Sequence, residues 1–420
     1  MRILLINHYA GSPRHGMEYR PFYLAREWVR AGHTVQIVAA TYSHVRAVQP
    51  DGAGDESIDG IAYRWLATPA YHGNGVGRAR NIATFLARLW RLAPALATNF
   101  KPDVVIASST YPMDIWVAHR IAKLTRRQGT PSRLVFEVHD LWPLSPIELG
   151  GMSQHHPFIM LCQAAENDAY RHADVVVSML PMVAQHMQSH GLDLHKLHIV
   201  PNGVDPGEWE LAEPLPPELV AQFAAWQNQG EKIVGYAGSH GVANALDDLL
   251  DAARLMRDDK LRFVLVGTGP EKERLRQRAR NMGLDNVSFL APVCKAQIPA
   301  LLKLFDIAYL GLQDQPLFRF GIAPNKLMDY MMAERPVLMA IRAGNDPVAE
   351  SGCGISVPPA DPQAIAQGLR RLLALDAATR ARMGALGRQF VLENHVYPVL
   401  AQRFLAVVSI AGTAIDYRAR

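Results

Sequence analysis

Short apolar, β-branched runs alternate with stretches of helical periodicity along nearly the whole chain. In the first half, Ile3–Asn7, Thr34–Ala39, Ala62–Leu66, Val104–Ala107, Leu134–Val138, Val175–Ser178 and His198–Val200 predict strands. Between them, Glu18–Arg30, Arg80–Thr98 and Ile115–Arg127 repeat apolar residues at helical spacing. This alternation implies parallel strands joined by helical crossovers. The runs show little period-two alternation, as expected of strands covered on both faces.

The pattern breaks at VPNGVDPGEW (Val200–Trp209), and AEPLPPE follows soon after. Clustered Pro, Gly, Asn and Asp mark a linker. Alternation then restarts with Ile233–Ala237, Phe263–Val266, Val287–Leu290, Ile307–Leu310, Val337–Ala340 and Ile355–Val357. After Pro362 the pattern is nearly all helical. A chain of 420 residues exceeds one ordinary core. The expected class is α/β, with two doubly wound Rossmann-like domains of similar size. Ligands of such sheets sit beyond the carboxyl ends of the strands. Two such domains joined by a linker would present those ends across one cleft.

Three strand-to-helix junctions of the second half carry glycine turns. They are Gly238-Ser239-His240-Gly241, Gly267-Thr268-Gly269 (with Pro270 expected at the first helical position), and the turn at Gly321 in RFGIAPNKLMDY. Each can aim free backbone N–H groups and a positive helix end at an anion. A single glycine turn is usually only a turn; three on one edge of one sheet say more. Lys326 stands in the first turn of the last helix, where dipole logic disfavours a lysine unless an anion is bound. Asp329, one turn on, is placed to accept hydrogen bonds from hydroxyls. The bland reading makes both of them solvated charges.

Two loops of the first half also carry candidate chemistry. NHYAGSPRHGMEYRPFYLA holds Gly11, Arg14, His15, Gly16 and Arg20. FEVHDLWPLSPIELGG sets His139 and Asp140 at a strand end, as a polar contact to a sugar or a catalytic acid/base. The alternative is a buried histidine satisfied by backbone. Glu148 and Glu166 follow near expected helix starts, where capping competes with catalysis.

Composition narrows the field. Apolar residues make up 49% and charged residues 20%, a globular balance. Net charge is +4, and residues 1–200 hold the whole excess, with 19 Lys/Arg against 15 Asp/Glu. This mild bias suits an anionic partner or membrane surface. It does not argue for nucleic acid, and no basic run carries interleaved aromatics. Cys162, Cys294 and Cys353 are far apart and form no CxxC, as expected of reduced thiols in a cytoplasmic protein. MRILLINHYA reads as a first strand rather than a signal peptide. The apolar run Phe404–Ile415 is too short to span a bilayer. No Asp-x-Asp, HExxH or Walker A loop occurs, so neither a metal-dependent phosphate site nor any cofactor is indicated. GRARNIATFLARLWRLAPAL (Gly77–Leu96) sets Arg78, Arg80, Arg88 and Arg91 among Phe85, Leu86, Leu89 and Trp90. It reads either as a helix lying on anionic lipid or as a crossover helix with a charged face.

Taken together, MRILLINHY…GMEYRPFYLAREWVRAGHTV, EVHDLWP…ELGG, HIVPNGVD, YAGSHGVANALDDLLDAA, FVLVGTGPEKERL and PNKLMDYMMAERPVL resemble the GT-B glycosyltransferases of family 4. Within them the chain is similar to bacterial surface-polysaccharide amino-sugar transferases. The resemblance covers nearly the whole chain. It implies an acceptor-side domain (1–203), a donor-side domain (204–395) and a final helix (396–420) crossing back to the first. It further implies a nucleotide-sugar donor, UDP-linked and N-acetylated by subgroup, and a lipid-linked or saccharide acceptor. Transfer would retain anomeric configuration without metal, with peripheral contact at the inner membrane face. The diphosphate would be held by amides around Gly321, Ile322 and Ala323 and by Lys326, the ribose by Asp329, and the base near Val293 and Cys294. Gly16, Arg20, Gly238, Ser239, His240, Gly267, Thr268 and Gly269 would line the donor, while His139 or Asp140 would face the reacting sugar. Three departures stand out. Gly321 replaces the first acid of the family's Glu-x7-Glu pair, Asp329 replaces the second, and Ser239-His240-Gly241 replaces an Arg and a Lys. An epimerase or hydrolase of sugar nucleotides, or a non-catalytic partner subunit, would fit the same fold.

Overall fold

The computed structural model describes residues 1–17, 19–73, 75–129 and 132–409. Glu18, which opens the first predicted helix, and the end of the apolar run beyond Ser409 lie outside the described residues. The chain divides into two compact units. One comprises Met1–Asn202 with the segment from Tyr397, and the other Gly203–Val396.

The first unit runs β1 (Arg2–Ile6), α1 (Tyr19–Arg30), β2 (Thr34–Ala40), β3 (Gly54–Ile58), β4 (Ile61–Leu66), α2 (Val76–Ala95) and β5 (Val104–Ala107). It continues with α3 (Asp114–Arg127), β6 (Arg133–Val138), α4 (Leu144–Glu148), α5 (Pro157–His172), β7 (Val175–Ser178), α6 (Ala184–Ser189) and β8 (Leu197–Ile199). Its sheet has the order β3-β4-β2-β1-β5-β6-β7-β8. Strands β5 and β7 are buried at every position, which explains their lack of alternation. The sequence pattern passes over β3, the antiparallel edge strand, because GDESI is polar and alternates between exposed and half-buried positions.

The second unit runs α7 (Pro206–Glu210), α8 (Pro217–Asn228), β9 (Lys232–Ala237), α9 (Leu246–Leu255), β10 (Leu261–Val266), α10 (Lys272–Asn281) and β11 (Val287–Leu290). There follow α11 (Ile298–Leu302), β12 (Ile307–Gly311), α12 (Asn325–Met332), β13 (Val337–Ala340), α13 (Pro347–Ser351), β14 (Gly354–Val357), α14 (Pro362–Ala374) and α15 (Ala377–Asn394). Its six parallel strands are ordered β11-β10-β9-β12-β13-β14. Asp346, Asp361 and Asp376 cap α13, α14 and α15 by accepting from backbone N–H groups three residues on. Pro270 does not start α10. Two turn residues intervene before Lys272, because the amide of Glu271 is drawn to the carbonyl of His240.

The last helix, α16 (Tyr397–Ser409), packs in the first unit. Leu400 and Phe404 are fully buried there, Tyr397 stacks on Tyr23, and Trp28 donates its indole N–H to the carbonyl of Ala401. No helix of the described residues is long and apolar enough to cross a membrane. The apolar stripe of α2 turns inward, with Ile82, Phe85 and Leu89 in the core. Of the two readings the sequence allowed, a crossover helix fits this stripe, which packs toward α3 and β4. Only Trp90 of the stripe is largely outside, with Arg120 stacked 4.4 Å from its ring.

Candidate functional site

The strand order of the second unit reverses direction between β9 and β12, which are neighbours. This is the switch point at which doubly wound sheets bind ligands. The loops leaving β9 and β10 and the start of α12 gather here. Gly238 and Gly267 take positive φ, 153° and 146°, for a steric reason. A Cβ on Gly238 would lie 2.4 Å from Cε of Lys326, and one on Gly267 would lie 1.9 Å from the carbonyl oxygen of Gly238. The two loops are further laced by His240 N–H to Thr268 O at 2.8 Å. Gly269 closes against the His240 backbone, and the side chains of Ser239 and Thr268 are exposed.

Lys326 stands in the first turn of α12, which no side chain caps. Its stem lies along Gly238, and its ammonium sits 5.3 Å from the Tyr236 ring centroid. Its hydrogen bond goes to Oδ1 of Asn244 at 2.6 Å, a neutral partner. No carboxylate among the described residues forms an ion pair with it, and burial pushes its pKa down to about 8. Asn244 in turn donates to the carbonyl of Ser239, which also accepts from the hydroxyl of Tyr236. Asp329 is the complementary group. Burial pushes its carboxyl up to about 7; Lys295 opposes that shift and Glu208 adds to it. Lys295 and Glu208 pair at 2.5 Å. Val293 is half-buried and Cys294 exposed in the neighbouring loop.

Two expectations for this unit change. The amides of Gly321 and Ile322 do not face a ligand: the first donates to Phe318 O at 2.9 Å and the second to Asn345 Oδ1 at 2.7 Å. Ala323 leads on to Pro324, which precedes the helix. The side chain of His240 is fully buried between Tyr236 and Phe289, and neither ring nitrogen has a hydrogen-bond partner. Burial, with Lys272 and Lys326, pushes its pKa down to about 4, so it packs as a neutral ring. The hollow of about 340 Å³ beside Gly241 is lined by Asp247, Asp248 and Glu271, which suits no diphosphate.

The first unit has its own switch point, between β1 and β5. Asn7 bridges it with a 2.6 Å hydrogen bond to the carbonyl of Ser108. Ser108 donates to Glu137 at 2.6 Å and meets Nε2 of His139 at 2.9 Å. Since the hydroxyl proton goes to Glu137, Nε2 of His139 is the donor in that pair. Burial opposes ionisation of Glu137, but Arg20, His139 and Ser108 together hold its carboxyl below the usual range. His139 is thus brought to the edge and oriented.

Arg20 is not. Arg20 is buried in α1, ion-paired to Glu137 at 2.9 Å and donating to the carbonyls of Val200 and Pro201. Its donors are engaged in closing this unit, which corrects its place as a donor contact. Asp140 accepts from Leu141 N–H and Ser145 Oγ, both through Oδ1, so one oxygen of its carboxylate is engaged in the turn after β6. Gly16, with φ 77°, ends the short turn Pro13–His15. Glu166 lies in the middle of α5, buried, not at a helix start.

Asn244, Ser108 and Glu137 were missed by sequence reasoning. Glu137 left a signal, a lone carboxylate inside the apolar strand RLVFEV. The others left none, since each gains meaning from a partner distant in the chain.

The glycosyl transferase 4-like domain matches residues 15–203, and the glycosyl transferases group 1 domain matches residues 231–375. The probable glycosyltransferase WbjE of Pseudomonas aeruginosa is 22% identical over 65% of this chain and 67% of its own length. The putative colanic acid biosynthesis glycosyl transferase WcaI of Escherichia coli K12 is 24% identical over 83% of this chain and 86% of its own. Among solved structures, Anabaena HepE in complex with UDP and glucose superposes with a TM-score of 0.64 at 16% identity, covering 97% of this chain and 99% of that one. The two domain matches, one on each Rossmann-like unit, make this chain a GT-B glycosyltransferase. The chain belongs to the family-4-like group of these enzymes.

Proposed function

We propose that this glycosyltransferase moves a sugar from a nucleoside diphosphate donor to a saccharide or lipid-linked acceptor in surface-polysaccharide synthesis, with retention and without a metal ion. Lys326 carries the donor half of this reading. A lysine desolvated at the switch point, with only a neutral amide for a partner, lacks an anion. A diphosphate at the uncapped start of α12 supplies one and meets the helix dipole as well. Asp329, one turn further along, accepts hydrogen bonds from the ribose hydroxyls. The UDP complex of HepE and the colanic acid relative support a UDP-linked donor and a polysaccharide pathway. An N-acetylated sugar is the choice of the subgroup resemblance.

In the proposed step the bond from C1 to the diphosphate oxygen breaks, and the electron pair leaves with the nucleotide. Lys326 stabilises that developing charge. The acceptor oxygen bonds to C1 on the same face and gives its proton to the departing phosphate oxygen. His139, oriented by Ser108, accepts a hydrogen bond from a sugar hydroxyl through Nδ1. With donor saturating, Lys326→Ala lowers turnover by on the order of 10²-fold. An unchanged rate would remove Lys326 from the reaction. Product analysis with donor alone separates transfer from epimerisation, because a transferase leaves the donor sugar unconverted until acceptor is added.

A further inference from the structure

A second cluster of ligand-type side chains lies in the first unit, on helices α5 and α6. One donor atom each from Glu166, His186 and His190 lies within 4.8 Å of the others. His186 Nε2 is 4.0 Å from Glu166 Oε1, and the two histidine rings are 4.4 Å apart. The set combines His186 of α6 and its C-cap His190, four residues on, with a carboxylate from α5. Glu166 is 2% exposed, and no lysine or arginine among the described residues forms an ion pair with it. A buried carboxylate demands either a proton or a cation.

The surroundings are those of a supported ligand set. Tyr170 donates to Glu166 Oε1 and Gln163 to Oε2, each at 2.8 Å, and each oxygen retains a further lone pair. Nδ1 of His190 lies 2.9 Å from the carbonyl of His186. Donation there fixes the tautomer and leaves Nε2 as the metal-binding nitrogen, the usual outer-shell pattern of a ligating histidine. We propose that Glu166, His186 and His190 bind a divalent transition metal of the zinc type, completed by water, which clips α6 to α5. Bonds of about 2.1 Å require donor atoms roughly 3.4 Å apart. The cluster shares no residue with the donor site, and its metal is given no part in the proposed transfer.

The cluster His119, Asp168 and His172 has a similar make-up but is more exposed, and it serves as an internal control. The test uses the whole chain, stripped with chelator and titrated with zinc by calorimetry and with cobalt by visible absorption. One strong equivalent is expected. The paired substitution His186→Gln and His190→Gln should abolish it, Tyr170→Phe should weaken it by roughly tenfold, and His172→Gln should leave it intact. The proposal is overturned if the wild type binds no strong equivalent, if the paired variant keeps it, or if His172→Gln removes it. Should the paired variant fail to fold, the wild-type cobalt spectrum decides. Intense bands of a four- or five-coordinate histidine complex support the site, and the weak bands of a six-coordinate aqua ion refute it.

Discussion

Lys326 carries its charge where water cannot reach it freely and no acid answers it. In the unfolded chain a lysine holds its proton to a pH of about 10.4, but here only to about 8. Between those values the unfolded state binds more protons, so the lysine's cost to stability fades as pH rises. Lys326→Met should therefore raise the urea midpoint of the ligand-free protein at pH 7, with the gain vanishing by pH 10. The same variant should lose the thermal shift that UDP gives the wild type; a retained shift would place the diphosphate elsewhere. The proposed transfer would read both groups in the opposite sense from stability. It would need Asp329 ionised, above about 7, and Lys326 protonated, below about 8. A narrow bell in kcat/KM for the donor, centred between those values, is the expected profile. Asp329→Asn should remove its acid limb and weaken the donor by about 1.5–3 kcal/mol, the scale of a hydrogen bond to a charged group. A profile whose acid limb survives in that variant would assign the limb to another group. Both residues were legible as charges at a helix start. Asn244 was not, because the lysine it meets is 82 residues away.

At the scale of elements, strands buried on both faces announced themselves, since continuous apolar runs have few other homes. Strand β3 did not, because an edge strand needs polar side chains. Helix starts were less secure. Pro270 looked like a first-turn proline, yet a single backbone bond to His240 moved the start by two residues. The stripe of α2 shows the deeper limit: periodicity reveals that a face needs covering, not what covers it. Helix α16 is the clearest case of covering by a distant element. Phe404 is fully buried against Trp28, their ring centroids 5.1 Å apart. Phe404→Ala should cost about 3–5 kcal/mol, read as a lower denaturant midpoint for the first unit. A loss within experimental error would mean that α16 only rests on the surface.

For the molecule as a whole, charge asymmetry is the feature that composition alone foretold. The first unit keeps a basic outer surface on α2 and α3, where Arg88 and Arg91 are exposed and Trp90 and Trp116 stand among Arg120, Lys123 and Arg127. A lipid-linked acceptor would bring the enzyme to an anionic membrane face, and this surface is suited to meet it. Vesicles rich in anionic lipid should carry the protein in flotation, and Arg88→Glu with Arg91→Glu should release it. Absence of flotation in the wild type would leave the acceptor side without a membrane role.

The return of α16 also sets an order on synthesis. When residue 396 has left the ribosome, the second unit has all of its strands and helices, although it began later. The first unit still lacks Tyr397, Leu400 and Phe404, and its core beside Trp28 stays open. The half made first is therefore closed last. A product truncated before α16 would carry a finished donor-side unit on an unfinished neighbour, exposing the apolar surface that proteases and chaperones read. Helix α16 thus makes completion of the first unit wait until the whole second unit has been made.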